Sequence, residues 1–118
     1  MFLFKRKGEA ESDEDLLRQY LRSGDAEYFG ILYNRYISLV YGLCLKYLRA
    51  PEDAEDAVMQ LFEELSDKVK HYEISNFKTW LYSVAKNHCL QLLRKENKEI
   101  TLDYTVNVME SDEFLHLL

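Results

Sequence analysis

Apolar residues recur along most of the chain at spacings of three and four, the period of an amphipathic helix. The first such segment, residues 13–23, follows Ser12 and ends before Gly24, a residue that readily takes the left-handed conformation of a helix end. A second segment is predicted over residues 26–49, with Asp25 as its N-terminal cap. The pattern therefore predicts a short helix followed by a long one.

Two further helices are predicted after Pro51. This proline ends the long helix because it has no N–H to donate and disfavours the helical conformation at the preceding residue. A third helix covers residues 53–70, and a fourth covers residues 77–95 with Asn76 as its cap. The side of the third helix opposite its apolar stripe forms an acidic ridge, defined as Asp56, Gln60, Glu63 and Asp67.

The two ends of the chain lack a helical period. Residues 1–12 are polar and of mixed charge, so they are predicted to be a mobile tail. From Ile100 to Val108 apolar and polar residues alternate, which favours an extended linker that lies on this domain or on a partner. The predicted fold is all-α: a compact bundle of three long helices plus a short N-terminal helix over residues 13–98, followed by an extended linker over residues 99–118.

Composition supports a single helical domain. The 118 residues are 47% hydrophobic and 14% aromatic, well above the composition of disordered chains, and include one Pro and four Gly. The net charge of −6 argues against a free-standing binder of duplex DNA. Residues 51–65 carry acids and no Lys or Arg, whereas residues 76–98 are basic, which indicates two different partners.

The cysteines and the N-terminus indicate a cytoplasmic chain. Cys44 and Cys89 both fall inside helical pattern, as expected of buried free thiols in a reducing compartment. The apolar residues 2–4 precede the basic residues 5–7, the reverse of a signal peptide. No apolar run approaches the roughly 20 residues that span a bilayer, so membrane insertion is not expected.

Candidate catalytic and metal-binding residues are few. His88 and Cys89 are adjacent, and with His71 or Cys44 they could suggest a metal or thiol site, but the ligand spacings C-x-x-C and H-x-x-x-H are absent. The period places His88 in the core as a hydrogen-bonded histidine, with Cys89 at its border. Neither a catalytic triad nor a Gly-rich phosphate loop is visible, so we expect no catalytic residue, no metal and no cofactor, and a chain that is not an enzyme.

The fourth helix has two chemically different sides. Its predicted core side is Phe77, Leu81, Val84, Ala85, His88 and Leu92. Its predicted outward side is Thr79, Ser83, Lys86, Asn87, Leu90 and Arg94, flanked by Trp80 and Gln91. Bases stack on rings, phosphates meet cations and amides pair with base edges, so this side suits nucleic acid. The alternative is that Trp80 and Tyr82 are ordinary half-buried aromatics and the acidic ridge is an ordinary solvated helix face.

Three segments resemble a known family. The run FKTWLYSVAKN at residues 77–87 is similar to the promoter-melting segment of bacterial RNA polymerase sigma factors of the sigma-70 family, in the extracytoplasmic-function group. GDAEYFGILYNRY at residues 24–36 resembles the first helix of the family's region 2, and DAEDAVMQLF at residues 53–62 resembles its polymerase-docking helix. The segments occur in the family's order and cover residues 14–98.

The resemblance implies a role for each matching position. The docking residues on the β′ coiled coil of RNA polymerase core would be Asp53, Asp56, Met59, Gln60 and Glu63. The residues that contact promoter DNA, mainly the single-stranded −10 non-template strand, would be Lys78, Trp80, Tyr82, Ser83, Lys86, Asn87, Arg94 and Lys95. The specificity loop around an extruded base would be His71, Tyr72, Glu73, Ile74, Ser75 and Asn76. An anti-sigma factor is a further implied partner.

The chain departs from the family in three respects. Met59 and Gln60 stand where the family usually has Gln-Glu, which makes the ridge less acidic. Ser83 replaces a usual basic residue, and Gln91 a frequent acid. The 118 residues do not include the family's second domain, a helix-turn-helix reader of the upstream promoter element, and residues 99–118 are interpreted as the linker toward it. The alternative function is therefore a helical protein-interaction module, or a polymerase-binding regulator without promoter-melting activity.

Overall fold

Five α-helices and one 3-10 turn make up the part of the chain that the computed structural model describes, residues 11–96. The all-α class is confirmed. The predicted linker over residues 99–118 and most of the predicted tail lie outside the described residues. The helices are α1 (Asp13–Ser23), α2 (Ala26–Arg35), α3 (Ile37–Leu48), α4 (Pro51–Lys68) and α5 (Phe77–Glu96), and the turn is Val69–His71.

Local capping fixes the ends of α1 and the start of α2, as predicted. The Ser12 hydroxyl accepts a hydrogen bond from the Asp15 N–H at 3.1 Å, which satisfies one of the unpaired donors of the first turn. Gly24 ends α1 with φ of 75°, a conformation that costs glycine little. The Asp25 carboxylate then accepts from the Glu27 N–H at 3.0 Å and starts α2.

The prediction of one continuous helix over residues 26–49 is wrong, because the chain turns at Tyr36. This residue has φ of −115° and ψ of 13°, and its N–H donates to the Tyr33 carbonyl oxygen at 3.0 Å. The start of α1 stabilises the corner: Asp13 accepts a hydrogen bond from the Tyr36 hydroxyl and pairs with the Arg35 guanidinium at 2.9 Å. With this corner, α2 packs chiefly on α1, while α3 packs on α4 and α5.

The third predicted helix, over residues 53–70, corresponds to α4, and its bounds also shift. α3 ends at Leu48, and the next residue, Arg49, takes a left-handed conformation with φ of 69°. α4 begins at Pro51 and not near Asp53, because the first position of a helix needs no N–H donor and suits the fixed φ of proline. At the other end, α4 stops at Lys68, and the 3-10 turn takes up residues predicted as helix end and loop.

The core is aromatic at its centre. The Phe29 ring lies 5.4 Å from Tyr20, 5.6 Å from Phe62 and 6.2 Å from Phe77, measured between centroids. The two buried phenols in this region are satisfied by helix carbonyl oxygens: Tyr20 donates to Ser66 at 2.6 Å and Tyr33 donates to Val58 at 2.8 Å. These contacts attach α1 and α2 to α4, and α5 to α2, which positions both candidate surfaces on one core.

Candidate nucleic-acid and protein interfaces

The buried side of α5 differs from the prediction. Phe77, Leu81, Ala85 and Cys89 are buried at a spacing of four, which is close enough to the helical period of about 3.6 to keep neighbouring members on one side. The outward position predicted for Leu90 is wrong, since Leu90 is 6% exposed and belongs to the core cluster. Periodicity gives the direction of a side chain but not which neighbouring helix covers it, and contact with α3 extends the buried side.

His88 and Cys89 exchange the places predicted for them. Cys89 is fully buried, so it lies in the core and not at its border. His88 keeps 11% of its side chain exposed and lies at the edge of the core, against α4. The prediction that His88 is a core histidine is therefore corrected to a histidine between two helices.

The exposed side of α5 is rich in polar side chains. We call it the nucleic-acid arc, and it comprises Thr79, Ser83, Asn87, Gln91 and Arg94, with Lys95 exposed at the helix end. Trp80, Lys78 and Lys86 are half-buried at its margins. Amide, hydroxyl and guanidinium groups thus line one face, with cations and an indole beside it, a combination that can contact both phosphates and bases.

Tyr82 lies in the core. Its ring is 5% exposed, which leaves little surface for direct contact with a nucleic acid strand. The Lys86 ammonium lies 5.4 Å from the centroid of this ring, within the range of a cation–π contact. Tyr82 therefore holds a cation at the margin of the arc.

The loop before α5 is short and anchored at both ends. Ile74 is half-buried against the core, whereas Tyr72, Glu73, Ser75 and Asn76 are exposed. The Asn76 side-chain oxygen accepts from the Thr79 N–H at 2.9 Å, which confirms the predicted cap. The loop places the exposed Tyr72 ring 6.3 Å from the Trp80 ring, a pairing that the sequence pattern alone did not reveal.

The residues predicted to dock on a partner form the outer face of α4, which we call the docking face. Asp53, Asp56, Gln60, Glu63 and Asp67 are all exposed, as the helical period predicts. Met59 is 69% exposed, a large apolar side chain among acids. The face combines negative charge with a hydrophobic contact point, and both are common in protein interfaces.

An apolar cleft adjoins this face, and sequence reasoning missed it. Two adjoining cavities of about 350 and 550 Å³ share Ile37, Val58 and Met59 in their walls. Glu63 borders the first cavity and Glu55 the second. Ile37, the first residue of α3 after the turn at Tyr36, lines both cavities opposite Val58 and Met59 of α4.

His88 connects the two surfaces. Its Nε2 lies 3.3 Å from Oε1 of Gln60, and its Nδ1 lies 3.7 Å from Oε1 of Glu64, both on α4. Burial lowers the pKa of His88 below its ordinary value; the Glu64 carboxylate opposes this effect and the Lys68 ammonium adds to it. The ring is therefore predominantly neutral at neutral pH.

The two thiols meet where α3 packs on α5. Cys44 and Cys89 are fully buried and free of disulfides. A hydrogen bond with Cys44 and burial together raise the pKa of the Cys89 thiol. Within residues 11–96 there is no group of three or more His, Cys, Asp or Glu side chains that could hold a metal ion.

None of the helices in the described part of the chain is long and apolar enough to cross a membrane.

Comparison with known proteins identifies relatives. Residues 32–99, more than half of the chain, match the family described as Sigma-70 region 2. The ECF RNA polymerase sigma factor SigW of Bacillus subtilis (strain 168) is 29% identical over 87 residues, which cover 73% of this chain and 46% of SigW. SigM of the same organism, also an ECF RNA polymerase sigma factor, is 31% identical over 71 residues, 60% of this chain and 44% of SigM. The chain thus spans less than half the length of each relative. No solved structure matches it.

Proposed function

The chain belongs to the sigma-70 region 2 family, and from this premise we propose that it is the promoter-melting domain of a cytoplasmic transcription initiation factor. It docks on the β′ coiled coil of RNA polymerase core through α4, and it holds the single-stranded non-template strand of the promoter −10 element on α5. An anti-sigma factor is a further proposed partner, acting by covering these surfaces. The proposal involves binding without chemistry.

The observation that carries the proposal is the pair of chemically opposite surfaces on α4 and α5. The outer face of α4 is acidic around the exposed Met59, and the apolar cleft beside it fits a basic helix with an apolar side chain. The nucleic-acid arc of α5 offers amides, hydroxyls and cations beside Trp80. One helix therefore suits a basic protein partner, and the next suits an anionic strand.

Binding supplies the free energy of melting. Extruding a base from the duplex costs a few kcal/mol, and stacking on an aromatic side chain returns about 1–3 kcal/mol per base. Trp80, half-buried between Phe77 and Tyr72, is the ring best placed to stack on an extruded base. Lys78, Lys86, Arg94 and Lys95 are the proposed phosphate contacts, with Ser83 and Asn87 facing the bases.

The polymerase has to position this domain on DNA. With a net charge of −6 and few phosphate-facing cations, the isolated chain is expected to bind duplex DNA weakly. Tight, sequence-specific binding of duplex DNA by the 118-residue chain alone would contradict this part of the proposal.

A two-arm binding experiment tests the function. The chain is titrated onto bacterial core RNA polymerase, and the complex is titrated with a labelled single-stranded −10 oligonucleotide. Asp56→Lys should weaken the first step, whereas Glu14→Lys, an exposed acid on α1, serves as its matched control. Trp80→Ala should leave polymerase binding intact and weaken the second step.

The alternative function is a polymerase-binding regulator or other helical protein-interaction module without melting activity. It predicts that Asp56→Lys has its full effect while Trp80→Ala and Lys86→Glu change nothing. Failure of the unaltered chain to bind core polymerase would overturn both functions.

A further inference from the structure

We propose that His88 is a positioning residue whose ring holds the docking face of α4 against α5, a contact that we call the brace. Protonation of this ring weakens the docking of a basic partner. The inference rests on the proposed docking function. Its basis is the place of the ring between Gln60 and Glu64, with its two nitrogens 3.3 Å and 3.7 Å from an oxygen of each. Only 11% of the His88 side chain is exposed, so water offers few alternative partners.

The number of protons on the ring decides how strongly it interacts with these two side chains of α4. A neutral imidazole has one N–H and an imidazolium has two. The Gln60 oxygen at 3.3 Å is within hydrogen-bond distance of Nε2, whereas the Glu64 oxygen at 3.7 Å from Nδ1 is within ion-pair distance, so Glu64 attracts the ring strongly only when the ring is protonated. Protonation therefore ties two side chains of α4 to α5, and one of them, Gln60, belongs to the acidic ridge.

Within residues 11–96, the charged groups that shift the pKa of the ring are Glu64 and Lys68, both on α4. The Glu64 carboxylate favours the imidazolium, and the Lys68 ammonium opposes it. Burial opposes it most strongly, so the ring gains its proton only below the ordinary histidine range. At neutral pH the docking face consequently keeps its full negative charge.

Acidification changes that charge. An imidazolium beside Glu64 adds one positive charge at the margin of the docking face, which weakens its attraction for a basic partner. One added charge at the margin of an exposed face corresponds to roughly a two- to fivefold change in affinity. Thermodynamic linkage requires the reciprocal effect: a docked basic partner must lower the pKa of His88 further.

A titration by nuclear magnetic resonance tests the brace in the 118-residue chain. The His88 ring signal is assigned by its loss in His88→Gln and followed across the pH range around 6.5. Glu64→Gln should shift the midpoint to lower pH and Lys68→Gln should shift it to higher pH. Glu52→Gln, an exposed acid in the first turn of α4, is the matched control. A midpoint that responds equally to Glu64→Gln and Glu52→Gln would overturn the brace.

Binding to bacterial core RNA polymerase tests the proton dependence. Below the His88 midpoint the unaltered chain should lose roughly two- to fivefold more affinity than His88→Gln, whose amide hydrogen-bonds but does not titrate. Parallel pH profiles for the two proteins would overturn the inference while leaving the proposed function intact. Absence of polymerase binding by both at every pH would overturn the proposed function and the docking half of this inference, and the ring titration would still decide the brace.

Discussion

The rings of Trp80 and Tyr72 lie 6.3 Å apart at an interplanar angle of 50°, one on α5 and the other on the loop that precedes it. Trp80 also lies 6.0 Å from Phe77, which in turn contacts Phe29 in the core. A series of rings therefore leads from the interior to an exposed phenol. In the proposed function, this arrangement would hold Trp80 in one orientation before a base binds, which would lower the entropic cost of stacking.

Tyr72→Ala should weaken binding of a single-stranded −10 oligonucleotide to the polymerase complex. We expect a loss of about 1 kcal/mol, the lower end for an aromatic stacking contact, because Tyr72 is 55% exposed and Trp80 remains. Fluorescence anisotropy measures the change. The control is Leu21→Ala, which removes an exposed apolar side chain elsewhere, on α1. Unchanged affinity in Tyr72→Ala would show that Trp80 acts without its neighbour.

Asn76→Ala should destabilise the chain. The substitution removes the side-chain oxygen that accepts from the Thr79 N–H at 2.9 Å, and loss of such a cap costs about 1 kcal/mol. Urea denaturation followed by circular dichroism gives the free energy of unfolding. Asn76→Asp retains the acceptor and should be nearly neutral, and Asn87→Ala tests an exposed asparagine within the helix. Equal losses in Asn76→Ala and Asn76→Asp would contradict the capping role.

The two thiols should resist modification in the folded chain. Both are fully buried, and the hydrogen bond with Cys44 together with burial raises the pKa of Cys89, so the reactive thiolate is scarce. A dithiobis-nitrobenzoate reagent should label both cysteines rapidly in denaturant. In the folded chain, labelling of either cysteine should be much slower. Ser83→Cys, which introduces an exposed thiol, provides the fast reference. Labelling of the native chain as fast as this reference would contradict the burial.

Alkaline pH should unfold the chain in part through Tyr36. Burial and the hydrogen bond to Asp13 raise the pKa of Tyr36 to about 12 from 10.0, and burial also raises the pKa of Tyr33. Between these values the unfolded chain loses protons that the folded chain retains, so the free energy of unfolding falls as pH rises from 10 to about 12. Tyr36→Phe should reduce this slope in urea titrations. An unchanged slope would contradict the assignment.

Sequence reasoning was most successful where structure is decided locally. Ser12, Gly24 and Asn76 act through bonds or backbone conformations within a few residues, so their positions could be read from the chain. The acidic ridge could be read too, because the period of one helix determines which side chains share a face. The structure accordingly confirms the predicted ends of α1, the predicted start of α5 and the predicted exposure of the acidic ridge.

Features set by distant contacts could not be predicted in the same way. The corner at Tyr36 contains neither Gly nor Pro and depends on Asp13, 23 residues earlier in the chain. The burial of Leu90 and the edge position of His88 depend on which helices surround α5, and a helical period carries no such information. The roles of the individual contact residues stay predictions until binding is measured.

The connection between α4 and α5 consists of a single 3-10 turn, Val69–His71, and a short loop closed by Asn76. Because Val69 lies in the core and Ile74 packs against it, the conformation of this connection is restricted. A polymerase that grips α4 would thereby set how far from its own surface the DNA strands separate. The connection would thus fix the distance between the polymerase and the site of strand separation. A residue inserted in this connection would shift the position of the opened base pairs while leaving both contact surfaces unaltered.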